Sequence, residues 1–176
     1  MQCLAYVLMP NHVHLILVPK DADGLRKALA STHGSYASIL NARRKKTGHF
    51  WQGRFGCVAL DGAHTEAALR YVLLNPVRAR LAKRAVDWRW SSAAALLKGR
   101  DDGLTATNVV REQFGDIAML LAEGTDAEMM DLVLRRAETI GRPLGSATFI
   151  DKLERKLGRP LKAQKRGPKP LQVERK

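Results

Sequence analysis

His12-Val13-His14 puts two imidazoles two residues apart in a run of apolar, β-favouring residues, so alternation along a strand turns both to one face. Such a pair can hold a divalent metal ion, and it also occurs as two ordinary half-buried or surface histidines. Tyr71 is followed four residues later by Asn75, one helical turn on, which gives the phenol a polar neighbour on the same face. Taken singly, Tyr71 reads equally well as a nucleophile or as a core aromatic of an amphipathic helix. Together these residues suit one reaction. A divalent metal polarises a scissile phosphate while a tyrosine phenolate attacks in line, and the resulting phosphotyrosine keeps the bond available for rejoining. Two imidazoles plus the Asn75 amide oxygen leave positions for phosphate oxygens and water, a donor set that suits Mg²⁺ or Mn²⁺.

The elements that must position these groups follow from periodicity and punctuation. Residues 3–9 and 12–18 read as two short strands separated by Pro10-Asn11, a hairpin signal. From Asp23 to about Lys46, Leu25, Leu29, Thr32, Tyr36, Ile39 and Leu40 recur at three- and four-residue steps and mark one face of a helix. Tyr6 and Tyr36 read as packing residues with a phenol at the rim. Residues 55–60 are expected as a third strand, and 65–75 as a helix stopped at Asn75-Pro76, because a residue before proline is pushed out of the α region. Beyond the Trp88-Arg89-Trp90-Ser91-Ser92 segment, whose tryptophans read as packing residues, come an alanine-rich stretch and acidic helices near 107–122 and 126–140. A last helix near 147–157 is capped by Ser146 and ended by Gly158.

The chain has 176 residues, 30 Lys plus Arg against 17 Asp plus Glu, a net charge of +13 and 45% hydrophobic residues. That is enough apolar content for one sizeable core, and enough positive charge to favour a polyanionic partner such as nucleic acid over an acidic-ligand carrier. The excess is uneven: +11 over residues 1–100, −6 over 101–140 and +8 over 141–176. A basic body, an acidic bridge and a basic tail suggest two surfaces for a polyanion, with residues 161–176 expected to form a disordered basic arm. Cys3 and Cys57 supply neither a disulfide framework nor a zinc site. With no signal peptide and no long apolar run, the protein is expected to be cytoplasmic and not membrane-bound.

Four blocks in order carry a resemblance: Leu8 through Ile16, Gly48 through Phe55 (Gly-His-Phe-Trp-Gln-Gly-Arg-Phe), Tyr71 through Arg80, and Trp88 through Ser92. They resemble the REP-associated tyrosine transposases, members of the single-tyrosine HUH superfamily, over roughly residues 4–92. The resemblance implies a ferredoxin-like α/β sandwich of the α+β class, with an antiparallel sheet carrying the histidines. It also implies single-stranded DNA cleavage and joining near hairpins. Tyr71 would form a 5′-phosphotyrosine, His12 and His14 would be metal ligands, and Asn75 would stand where relatives place an amide ligand. Relatives work as monomers or homodimers. Arg43, Arg44, Lys45, Lys46, Trp51, Gln52 and Arg54 would then supply cations for phosphates and an aromatic plane for an unpaired base, with Arg78, Arg80, Lys83 and Arg84 following the catalytic helix.

The expected domain layout is a catalytic domain over 1–100, a helical C-terminal extension over 101–160 and the basic tail; residues 141–165 resemble a C-terminal extension seen in part of the family, and the positive charge of this end suggests an auxiliary DNA contact. Relatives carry a further strand and helix ahead of the segment that begins here near Leu4, so the catalytic domain is expected to be incomplete at its N-terminus, with unpaired sheet edges. That departure keeps a second reading in play, a catalytically inactive DNA-binding remnant of such a transposase.

Overall fold

A computed structural model describes residues 1–122, 133–134, 136–137 and 140–162. Strand β1 (Gln2–Leu8) pairs antiparallel with β2 (Val13–Val18), Val7 opposite His14 and Tyr6 opposite Leu15, with a bulge between Cys3 and Ala5. The two strands agree with the alternating runs, and the Met9–His12 turn closes on a hydrogen bond from the Met9 N–H to the His12 carbonyl (2.9 Å). Helix α1 (Gly24–Arg44) covers the expected span, yet none of its 21 residues is buried.

Helix α2 (Gly62–Arg78) starts on an Asp61 cap and buries Ala68, Leu69, Tyr71, Val72, Leu73, Asn75 and Pro76. It packs across the hairpin, where Leu4, Ala5, Val7 and Ile16 meet Leu69, Val72 and Leu73 in the main core. Proline does not end this helix at Asn75. The chain runs on through Pro76 to Arg78, because a missing N–H is tolerable one turn from the end while the Asn75 and Pro76 carbonyls still accept from Ala79 and Leu81 (2.9 and 2.8 Å).

A 3₁₀ turn (Ala85–Asp87) leads into the Trp88–Ser92 segment, which lies along the outer edge of β1. The Leu8 N–H donates to the Trp90 carbonyl (2.8 Å), the Trp88 indole N–H to the Leu8 carbonyl (3.0 Å), and the Tyr6 N–H to Ser92 Oγ (3.0 Å). Helices α3 (Ala93–Lys98), α4 (Thr107–Phe114) and α5 (Ile117–Ala122) complete the core with Leu96, Val110, Ile117 and Leu120. Gly115, at φ 71°, breaks the span expected as one helix over 107–122. Most of the helix expected near 126–140, and nearly all of the basic arm, lie outside the described residues.

The third strand expected over 55–60 does not form. Only Leu60 pairs, in a single bridge with Leu144. An isolated apolar run needs a neighbour to hydrogen-bond before it becomes a strand, and Phe55 to Ala59 have none that continues the hairpin among the described residues. The described sheet is therefore two-stranded in an α+β arrangement. Helix α6 (Ala147–Leu157) begins on Ser146, whose hydroxyl accepts from the Phe149 N–H (3.2 Å), and ends at Gly158 in the left-handed region, both as the sequence predicts. Among the described residues no helix is long and apolar enough to cross a membrane.

Candidate active site

The hairpin and α2 bring together residues separated by 57 positions: Tyr71 Oη lies 3.4 Å from His14 Nε2. The two rings meet edge to face, centroids 5.1 Å apart, and His12 packs edge to face on His14 at 4.8 Å. His12 sits in the turn just before β2 rather than in the strand, but it keeps its ring beside His14. Its Nδ1 lies 2.6 Å from Asn11 Oδ1. Asn75 follows Tyr71 by one turn on the buried face of α2, 9% exposed.

Burial of Tyr71 to 7% exposure fixes the phenol against the sheet, so the ring is both a core aromatic and the partner of His14; the two sequence readings coexist in one side chain. The Arg78 guanidinium, seven residues along the same helix face, lies over the Tyr71 ring at 5.1 Å from its centroid. Among the described residues no group of three His, Cys, Asp or Glu side chains is placed to hold a metal ion. Two adjacent imidazoles are by their chemistry suitable donors for a divalent ion, and they are an incomplete set.

The remaining sequence candidates do not converge on this pair. Arg43, Arg44, Lys45 and Lys46 are exposed at the end of α1, where Lys45 caps the helix at φ 50°. Gln52 and Arg54 are exposed on the following loop. Arg80 and Lys83 are exposed after α2, and Arg84 is held by Asp87 in a two-point ion pair (3.0 and 2.6 Å). Trp51 does not offer the open plane the sequence suggested: its ring stacks on His33 at 4.4 Å and its indole N–H donates to the His33 carbonyl at 2.9 Å.

Two features escaped the sequence reading. Trp90, expected as a packing residue, is 50% exposed with the Arg89 guanidinium over its ring at 4.4 Å. Asp61 anchors α2 to the C-terminal segment: it accepts from the His64 N–H (3.0 Å) and the Ser146 N–H (2.7 Å), which pull its carboxyl down to about 2. An aspartate immediately before a helical pattern signals a cap; nothing local signals the second partner 85 residues away.

A phenol set against a strand histidine, with a second imidazole beside it, is an arrangement whose chemistry suits phosphoryl transfer. Residues 1–75 match the family model described as Transposase IS200 like, a stretch that takes in His12, His14, Tyr71 and Asn75. The similarity to that family covers less than half of the chain. No curated protein and no solved structure matches the chain.

Proposed function

We propose that this chain is a single-tyrosine DNA strand transferase of the REP-associated type that cleaves and rejoins single-stranded DNA beside hairpins. The observation that carries the reading is the 3.4 Å approach of Tyr71 Oη to His14 Nε2 within a segment similar to IS200-like transposases. The catalytic region would occupy residues 1–100 in a ferredoxin-like arrangement, with 101–160 as a helical extension. The protein would act in the cytoplasm as a monomer or homodimer.

In this mechanism the Tyr71 oxygen attacks the scissile phosphorus, the bond from phosphorus to the 3′-oxygen breaks, and that oxygen leaves as a 3′-hydroxyl after taking up a proton. The 5′-phosphate stays on Tyr71 and is returned to a 3′-hydroxyl in the reverse step. A divalent ion, Mg²⁺ or Mn²⁺, held by His12, His14 and Asn75, would supply charge stabilisation at the phosphate oxygens. The packing of Tyr71 against the sheet holds the phenol in place before DNA arrives, which removes the entropy of orienting it. Arg78, over the Tyr71 ring, adds a cation against the side chain that attacks, where it would favour the phenolate and the negative charge of the DNA.

The test is a denaturing gel after incubation of labelled hairpin oligonucleotides, carrying single-stranded flanks, with the chain and Mn²⁺ or Mg²⁺. A covalent band is expected that EDTA and Tyr71→Phe both abolish, while Tyr71→Phe still binds the DNA. Equal adduct from Tyr71→Phe would sink the mechanism, and binding with no adduct under any condition would favour the inactive DNA-binding remnant.

A further inference from the structure

Helix α1 is apolar on one face and buries none of its residues in the core. Its second half instead carries a cluster of aromatic rings assembled with the loop that follows. Trp51 stacks on His33, Phe50 meets Trp51 edge to face at 5.1 Å, and Tyr36 touches both, at 5.4 Å from Phe50 and 5.8 Å from Trp51. The indole N–H bond to the His33 carbonyl and the Asn41 amide bond to the Gly48 carbonyl (3.0 Å) clamp this loop onto the helix. Gly48, at φ 97°, makes the turn that lets the loop fold back. Tyr36 is the outer member, 47% exposed, and Ile39 beside it is 50% exposed.

A surface aromatic group of this kind, prefixed in geometry and unused by the core, has apolar faces to offer a ligand. The charge around it says which ligand. Arg43, Arg44, Lys45 and Lys46 follow Tyr36 within ten residues, all exposed, and Arg44 lies over the Phe50 ring at 5.8 Å. Four successive cations at the end of the helix that carries the exposed Tyr36 ring complement a strand that alternates phosphates with flat bases, and they oppose docking of a second copy, which would bring like charges together.

We propose that this cluster is a single-stranded DNA platform, with a base stacked on Tyr36 and the flanking phosphates on Arg43 to Lys46. Trp51 serves as the buttress beneath the outer ring rather than as the stacking surface. The inference takes from the proposed function only that the ligand is single-stranded DNA. Because stacking tolerates any base, the platform holds a strand without reading its sequence.

The experiment uses the full chain carrying Tyr71→Phe, so that binding is read without chemistry, and a labelled oligothymidylate of about 16 nucleotides. Tyr36→Phe should bind like the parent, whereas Tyr36→Ala and Tyr36→Leu should each weaken binding about 5- to 150-fold. Leucine keeps the face apolar but removes the ring, so full affinity in Tyr36→Leu overturns the proposal. So does an equal loss in Tyr36→Phe, or an absence of binding by the parent. Far-ultraviolet circular dichroism confirms that α1 persists in each variant. Arg43→Gln with Lys46→Gln should shallow the slope of log affinity against log salt by about 0.7 per lost phosphate contact. If sedimentation shows a dimer that Tyr36→Ala dissociates with DNA affinity unchanged, the face belongs to a second copy and the proposal fails. The adduct assay is independent: a chain that binds through Tyr36 but forms no adduct keeps the platform and loses the strand-transfer reading.

Discussion

Asp61→Asn is the perturbation that most directly measures how the C-terminal extension is tied to the tyrosine helix. The native carboxylate accepts the His64 N–H at one oxygen and the Ser146 N–H at the other, and its carboxyl lies at about 2 instead of the ordinary 3.8. A carboxyl held this far below its ordinary value favours the folded state by a few kcal/mol at most, about 2 kcal/mol before screening. The side chain is 16% exposed and lies near the surface, so solvent screening reduces the figure to about 1 to 2 kcal/mol. Asparagine retains one acceptor for the helix cap but presents an NH₂ where the second oxygen stood, so it keeps the His64 bond and loses the one to Ser146. The stabilisation is complete above the unfolded value of about 3.8 and is lost as pH falls through about 2. Urea unfolding at pH 7 should therefore show Asp61→Asn destabilised by about 1 to 2 kcal/mol. Stability of the parent should fall between pH 4 and pH 2 by a component that the variant lacks. Hydrogen exchange should locate the loss at the Ser146 amide and the first turn of α6. Unchanged stability at pH 7, with the Ser146 amide equally protected, would refute the reasoning.

Ser92 is fully buried and its hydroxyl accepts the Tyr6 N–H, so Ser92→Ala should cost about 1 to 3 kcal/mol by leaving that donor unsatisfied, read by denaturant unfolding. Leu73→Ala, in the fully buried seam between α2 and the hairpin, should cost about 2 to 5 kcal/mol in the same assay, and a smaller loss would mean the seam collapses around the cavity. His14→Ala should remove covalent adduct formation while leaving hairpin binding within a fewfold of the parent; adduct at the parental rate would separate His14 from the chemistry. Arg78→Gln should lower the adduct rate, and restoration by added guanidinium would show that the charge, rather than the packing on Tyr71, is what acts.

What local sequence determined is what neighbours within a turn or a strand pair can enforce. Alternation set the hairpin, and apolar spacing set α1. Ser146 and Gly158 bounded α6 because a cap needs only residues three or four positions away. The same locality put His12 and His14 side by side and Tyr71 and Asn75 on one helix face. Locality also misled where packing outweighed it. Proline at 76 did not stop α2, since the core accepted Pro76 and the following carbonyls found donors, and the apolar run over 55–60 found no partner strand beyond one bridge. Tertiary structure alone decided that Tyr71 meets His14, that Trp51 turns onto His33 and leaves Tyr36 outermost, and that Asp61 reaches Ser146. Each of these is a distance between segments far apart in the chain, fixed by how whole elements pack, and no periodicity within one element encodes it.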